Sequence, residues 1–218
     1  MLGVRRFHKL ASMFQSCDKD GQCADCTYVA QCWSEPLPSH AEFFARRVGL
    51  ERGATLMKQG ERSDGLCLLI NGCLSVREIL LNGSERIIAF RTPGELIGIE
   101  GWSAGIQPYA VTAITAATVC RLKMPSHGGG DDGLWFERLL KKTASQLRQS
   151  LALWAGQSAA ERVTEFIKDF AERTSQPPAG LRLPMTRAEV GSYLGLSEET
   201  VVRMLKQMRT KEGSYPSA

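Results

Sequence analysis

Apolar and polar residues alternate in short runs through the middle of this chain, and the spacing becomes helical after residue 133. Residues 54–102, ATLMKQGERSDGLCLLINGCLSVREILLNGSERIIAFRTPGELIGIEGW, read as successive strands. Gly60, Gly65, Gly72, Gly83, Gly94 and Gly98 punctuate them at intervals of about ten residues, a spacing that predicts an antiparallel sandwich or roll. YAVTAITAATVCRLKMP continues the pattern to residue 125 and puts Cys120 in its last strand. Upstream, HAEFFARRVGLERG predicts a short helix over residues 40–53.

SHGGGDDG, residues 126–133, breaks the strand pattern and marks a domain connection. Beyond it Leu140, Ala144, Leu147, Leu151 and Trp154 recur at spacings of four, three, four and three. Such a stripe is commonly core, packed here on the protein's own roll. A sustained a/d seam ahead of a second compact unit favours pairing of two copies through this helix instead. SAAERVTEFIKDFAERT predicts another helix, and QPPAG ends it.

Residues 186–208, TRAEVGSYLGLSEETVVRMLKQM, predict two helices joined by a tight turn. Thr186 caps the first, with Glu189 three residues on completing a capping box, and Val190, Tyr193 and Leu194 form its buried face. Gly195 makes the turn. Ser197 caps the second helix, Val201, Leu205 and Met208 point inward, and Glu198, Glu199, Val202, Arg203 and Lys206 point outward. This is the layout of a helix-turn-helix. Glu199 can accept a hydrogen bond from cytosine N4, Arg203 can donate two to guanine, and Thr200 and Lys206 suit phosphates.

Length and charge narrow the field. A chain of 218 residues holds one fair-sized core and a smaller domain, and a net charge of +4, with the basic excess in the last third, fits a nucleic-acid partner. No apolar run is long enough to span a membrane, and the N-terminus is too short and too charged for a signal peptide, so a cytoplasmic protein is expected. Seven cysteines in such a chain point to metal or thiol chemistry rather than disulfides, and four of them lie within residues 17–32. Cys23, Cys26 and Cys32, at C-x2-C-x5-C, can hold three irons of a cluster, with a fourth ligand from elsewhere. Zinc competes for such sites but favours paired knuckles, and one C-x2-C pair is present. Cys67 and Cys73 read as small buried hydrophobes. His8, His40 and His127 lie in separate segments, and no nucleotide-binding glycine loop is present, so an enzyme or an electron carrier is disfavoured.

Taken together, GLCLLINGCLSVRE, FRTPGELIG, the seam helix and GSYLGLSEETVVR resemble the CRP/FNR family of bacterial transcription regulators. The C-x2-C-x5-C motif with a distant cysteine resembles its oxygen-sensing FNR branch. The resemblance implies an α+β chain: a cysteine-rich cluster-binding segment over residues 1–35, a jelly-roll-like β-roll sensory domain over 36–125, a dimerisation helix over 134–158 and a helix-turn-helix domain over 159–218. The chain ends five residues after Gly213, where the family continues into a β-hairpin, so a truncated wing is expected. Cys23, Cys26, Cys32 and Cys120 would ligate a 4Fe-4S cluster, and Cys17 could replace Cys120. An intact cluster would favour a homodimer on palindromic double-stranded DNA with TGA-like half-sites, and oxygen would reverse this. Residues 82–86 would touch RNA polymerase. Val202 stands where the FNR branch carries Ser, leaving an apolar contact to a thymine methyl. Tyr109 and Ala110 replace the Arg-Ser pair that holds a cyclic-nucleotide phosphate, so no cyclic nucleotide is expected.

Overall fold

The computed structural model describes residues 44–63, 65–123, 141, 143–144, 158–177 and 181–212. Among the described residues eight strands form two four-stranded antiparallel sheets. One carries the order β1-β8-β3-β6, from Phe44–Leu50, Ala117–Lys123, Gly65–Asn71 and Leu96–Ile97. The other carries β2-β7-β4-β5, from Thr55–Met57, Ala110–Ala113, Leu74–Ile79 and Glu85–Arg91. The period of two along a strand sends alternate side chains to opposite faces. Cys67 and Leu69 of β3 therefore join Leu74, Val76, Val111 and Val119 between the sheets. Leu66 and Leu68 face the other way, packing with Leu96, Leu122 and Trp102 on the outer side of the first sheet. A strand buried on both faces reads as the unbroken run LCLLI.

Two sequence expectations are corrected. The short helix expected over residues 40–53 is strand β1 from Phe44 to Leu50 and a turn at residues 51–53, the strand pairing with β8 from Phe44↔Lys123 to Leu50↔Ala117. FFARRVGL is compatible with either period, and the ladder to a strand some seventy residues away decides between them, an outcome local spacing cannot contain. The strand run expected through GIEGW stops after β6, and Ile99–Ala104 forms helix α1 between left-handed Gly98 and Gly105 (φ 88° and 77°). In the β3–β4 turn Gly72 has φ 94°, and a Cβ there would lie 2.6 Å from the Ala116 carbonyl oxygen. Only glycine fits that approach.

Among the described residues the second unit comprises α2 (Ala159–Arg173), α3 (Arg187–Leu194) and α4 (Glu198–Glu212). Val163, Phe166, Ile167 and Phe170 line one face of α2 and are buried with Val190, Tyr193 and Leu194 of α3 and Val201 and Leu205 of α4. Cys73, Ile87, Phe90 and Ile114 of the roll belong to the same apolar cluster. Phe90 meets Tyr193 edge-on at 5.3 Å and Phe166 at 6.0 Å. The roll and the helical unit thus share one core.

Candidate DNA interface and sensor cysteine

The helix-turn-helix is built by caps at both helix starts. Thr186 Oγ1 accepts from the Glu189 amide (3.1 Å), and the Glu189 carboxylate accepts from the Thr186 amide (2.8 Å), closing the expected capping box of α3. Gly195 takes the left-handed conformation (φ 64°) that ends α3, and its amide donates to the Gly191 carbonyl. The turn then packs so tightly that a Cβ on Gly191 would lie 2.6 Å from the Leu196 carbonyl oxygen. Ser197 Oγ accepts from the Thr200 amide (3.2 Å) and lies 2.9 Å from Thr200 Oγ1, capping α4.

These caps fix the orientation of α4. Val201 and Leu205 are buried, Met208 is half-buried, and Glu198, Glu199, Val202, Arg203 and Lys206 are exposed, Val202 to 47%. Apart from half-buried Thr200, the residues expected to read DNA therefore share one open face: two acceptors at the helix start, two cations further along and an apolar spot between them. Such a face can lie in a major groove and discriminate base edges.

Three features of this unit escaped the sequence reading. Ser158 caps α2 with a second capping box to Glu161 (3.2 and 2.9 Å), legible as S-x-x-E ahead of an apolar run. Arg77 of β4 pairs with Glu189 at 2.8 Å, a contact that no spacing rule announces across 112 residues. Arg173 at the end of α2 likewise pairs with Glu95 of the roll (3.0 Å) and with Asp169 (2.9 Å), and donates to the Phe90 carbonyl. Burial opposes its charge, but the two carboxylates more than offset that and raise its pKa.

Comparison with known proteins settles the family. The cyclic nucleotide-binding domain family matches residues 47–127, and the Crp-like helix-turn-helix domain family matches residues 161–212. The fumarate and nitrate reduction regulatory proteins of Escherichia coli and Salmonella typhi are each 26% identical over 196 residues, covering 84% of this chain and 78% of theirs. The FixK2 structure from Bradyrhizobium japonicum is 29% identical with a TM-score of 0.68, covering 77% of this chain and 86% of that one. A CRP-family transcriptional regulator from Thermus thermophilus, 19% identical over 75% of this chain and 85% of that one, shares the fold with a TM-score of 0.60. The chain belongs to the CRP/FNR family of transcription regulators. In this CRP/FNR regulator the roll is the sensory domain, α3 and α4 are the DNA-binding motif, and the family acts on transcription rather than as enzymes.

The cysteines and seam residues expected from the sequence are placed unevenly. Cys120 sits in β8 opposite Arg47 and Leu68, half-buried at the margin of the outer apolar cluster. Cys67 and Cys73 are sealed, at 1% and 3% exposure, as expected of small buried hydrophobes. Burial pushes the Cys73 thiol up to about 12. Cys17, Cys23, Cys26 and Cys32 lie outside the described residues, as do Leu140, Leu147, Leu151 and Trp154 of the seam. Ala144 is helical and exposed. Among the described residues no three metal-ligating side chains converge. The space beside Tyr109, lined by Gly98, Gln107 and Val111, amounts to about 40 Å³. Among the described residues no helix is long and apolar enough to cross a membrane.

Proposed function

We propose that this DNA-binding regulator senses oxygen or redox state through a 4Fe-4S cluster held by Cys23, Cys26, Cys32 and Cys120, and controls anaerobic gene expression as a cytoplasmic homodimer. The position of Cys120 carries the reading. Of the three described cysteines it alone is half-exposed, on an outer sheet face that a ligand from outside the roll can approach, whereas Cys67 and Cys73 are sealed inside. A thiolate is the donor type iron–sulfur clusters take. Bound there, the cluster would supply an oxygen-reactive centre. The relatives named for fumarate and nitrate reduction support the anaerobic assignment.

The chain's own residues do the rest. Two copies paired through Leu140, Ala144, Leu147, Leu151 and Trp154 would set their α4 helices about 34 Å apart, one DNA turn, on a palindrome of TGA-like half-sites. The exposed β4–β5 hairpin, with Leu81 projecting fully and Asn82–Arg86 beside it, suits contact with RNA polymerase. A regulator without cyclic nucleotide is part of this proposal, because Tyr109 and Ala110 stand where the resemblance places the Arg-Ser pair that holds the phosphate.

A second reading keeps the regulator but replaces the cluster with another effector. Direct thiol sensing by Cys73 is disfavoured, because a buried, neutral thiol is a poor nucleophile. A cleft of about 620 Å³ between the roll and α2, lined by Asn71, Thr92, Arg173 and Arg182, is large enough for a small polar ligand.

Anaerobic purification with iron and sulfide quantified, followed spectroscopically as air is admitted, separates the readings. About four irons and four sulfides per chain, bleaching in air and absent in Cys23→Ala and Cys120→Ala, is the expected result. Unchanged cluster yield in both variants, or zinc or no metal in the unsubstituted chain, would overturn it in favour of another effector.

A further inference from the structure

Where α3 meets the roll, both surfaces are held rigid before they touch. Arg77 is anchored within the roll: its Nε donates to buried Ser75 Oγ (2.9 Å) and its Nη1 to Glu85 (3.2 Å). The remaining nitrogen, Nη2, points at Glu189 (2.8 Å). Glu189 is anchored in turn, since its Oε2 is spent on the Thr186 amide and hydroxyl and Oε1 alone receives Arg77. One turn along α3, Ser192 Oγ accepts from the Ile87 amide at 3.0 Å. Ile87 lies in β5, the last strand of its sheet, opposite the irregular Val76/Arg77 register. The first helix of the motif thus covers a sheet edge and gives the Ile87 amide a side-chain acceptor.

We infer that Arg77 is a positioning residue: with Glu189 and Ser192 it latches the reading unit to the roll and fixes the direction in which α4 faces. The inference rests on the reading of this chain as a two-fold DNA-binding dimer. Side chains already immobilised within their own domains lose little entropy on pairing, and the pair is only 22% and 21% exposed, so it escapes most of the solvent screening of a surface bridge. The latch engages α3 and leaves the reading face of α4 open, so the docked state is competent rather than occluded. A loosened reader would still recognise one half-site. It would lose the fixed separation that lets two readers engage both half-sites together.

Arg77→Met and Glu189→Gln in the full chain test this, because glutamine preserves the capping box while removing the charge. Each variant, and the pair together without additivity, should weaken binding to a palindromic duplex by about tenfold while leaving a single half-site duplex unaffected. The Ile87 amide should exchange hydrogen faster in Arg77→Met, while the Leu69 amide in the roll core stays protected. Equal losses on both duplexes, tighter binding, or unchanged exchange at Ile87 would overturn the latch. The exchange arm needs no DNA. An unsubstituted chain that shows no preference for the palindrome would therefore count against the dimeric reader, and Ile87 exchange would still decide the latch.

Discussion

Replacing Arg173 by methionine removes the cation that ties the end of α2 to the roll. Its side chain is 17% exposed and neutralises Glu95 and Asp169, at 11% and 14%, while its donation to the Phe90 carbonyl reaches across the domain boundary. Removing one partner of a buried ion pair costs about 3–5 kcal/mol, because the charge left behind keeps its desolvation penalty. Two considerations fix the value here. Glu95 keeps the Thr92 amide (2.6 Å) and hydroxyl as donors, which lowers the cost, and the Phe90 carbonyl loses its charged donor, which raises it. A loss of about 3 kcal/mol is expected, with Arg173→Lys intermediate, since a point charge cannot serve the carbonyl and both carboxylates at once. Urea unfolding followed by tryptophan fluorescence and far-ultraviolet circular dichroism measures it. The midpoint should fall, and the two probes, coincident in the unsubstituted chain, should separate as the roll and the helical unit uncouple. A loss below about 1 kcal/mol with coincident transitions would show that the ion-pair cluster neither stabilises the fold nor joins its halves.

Three other outcomes follow from the same structure. Gly191→Ala should destabilise the helical unit by about 2 kcal/mol and abolish specific DNA binding, because its Cβ meets backbone rather than a movable side chain; thermal melting with a DNA-shift assay reads both. Arg203→Ala should cost about 1–3 kcal/mol of binding at a guanine-containing half-site and relax base preference there, and Lys206→Ala should weaken all sequences alike, as titrations on single-base variants would show. Cys73 has its thiol raised from 9.0 to about 12, so the folded state holds a proton that the unfolded chain releases. Its contribution is complete below pH 9 and is lost as pH rises towards 12; Cys73→Ala should therefore flatten the alkaline fall in stability measured by urea titration between those limits.

The sequence alone determined what depends on neighbours a few residues apart. The capping box of Thr186 and Glu189, the turn at Gly195 and the outward set on α4 are all written within one helical turn or the next, and a cap or a 3.6-residue stripe is a local property. The strand alternation and glycine turns gave the roll for the same reason, and two motifs in one chain gave the family. Tertiary structure decided the rest. Whether residues 44–50 form helix or strand was settled by β8, and whether GIEGW continued a strand was settled by left-handed glycines on either side of α1. The depth of Cys67 and Cys120 was settled by which side of the sheet each faces, and that of Cys73 by the helical unit packed over the β3–β4 turn. The junction of Arg77 with Glu189 and of Arg173 with Glu95 joins residues 112 and 78 positions apart, and such pairs follow from how two domains pack, which no periodicity along the chain encodes.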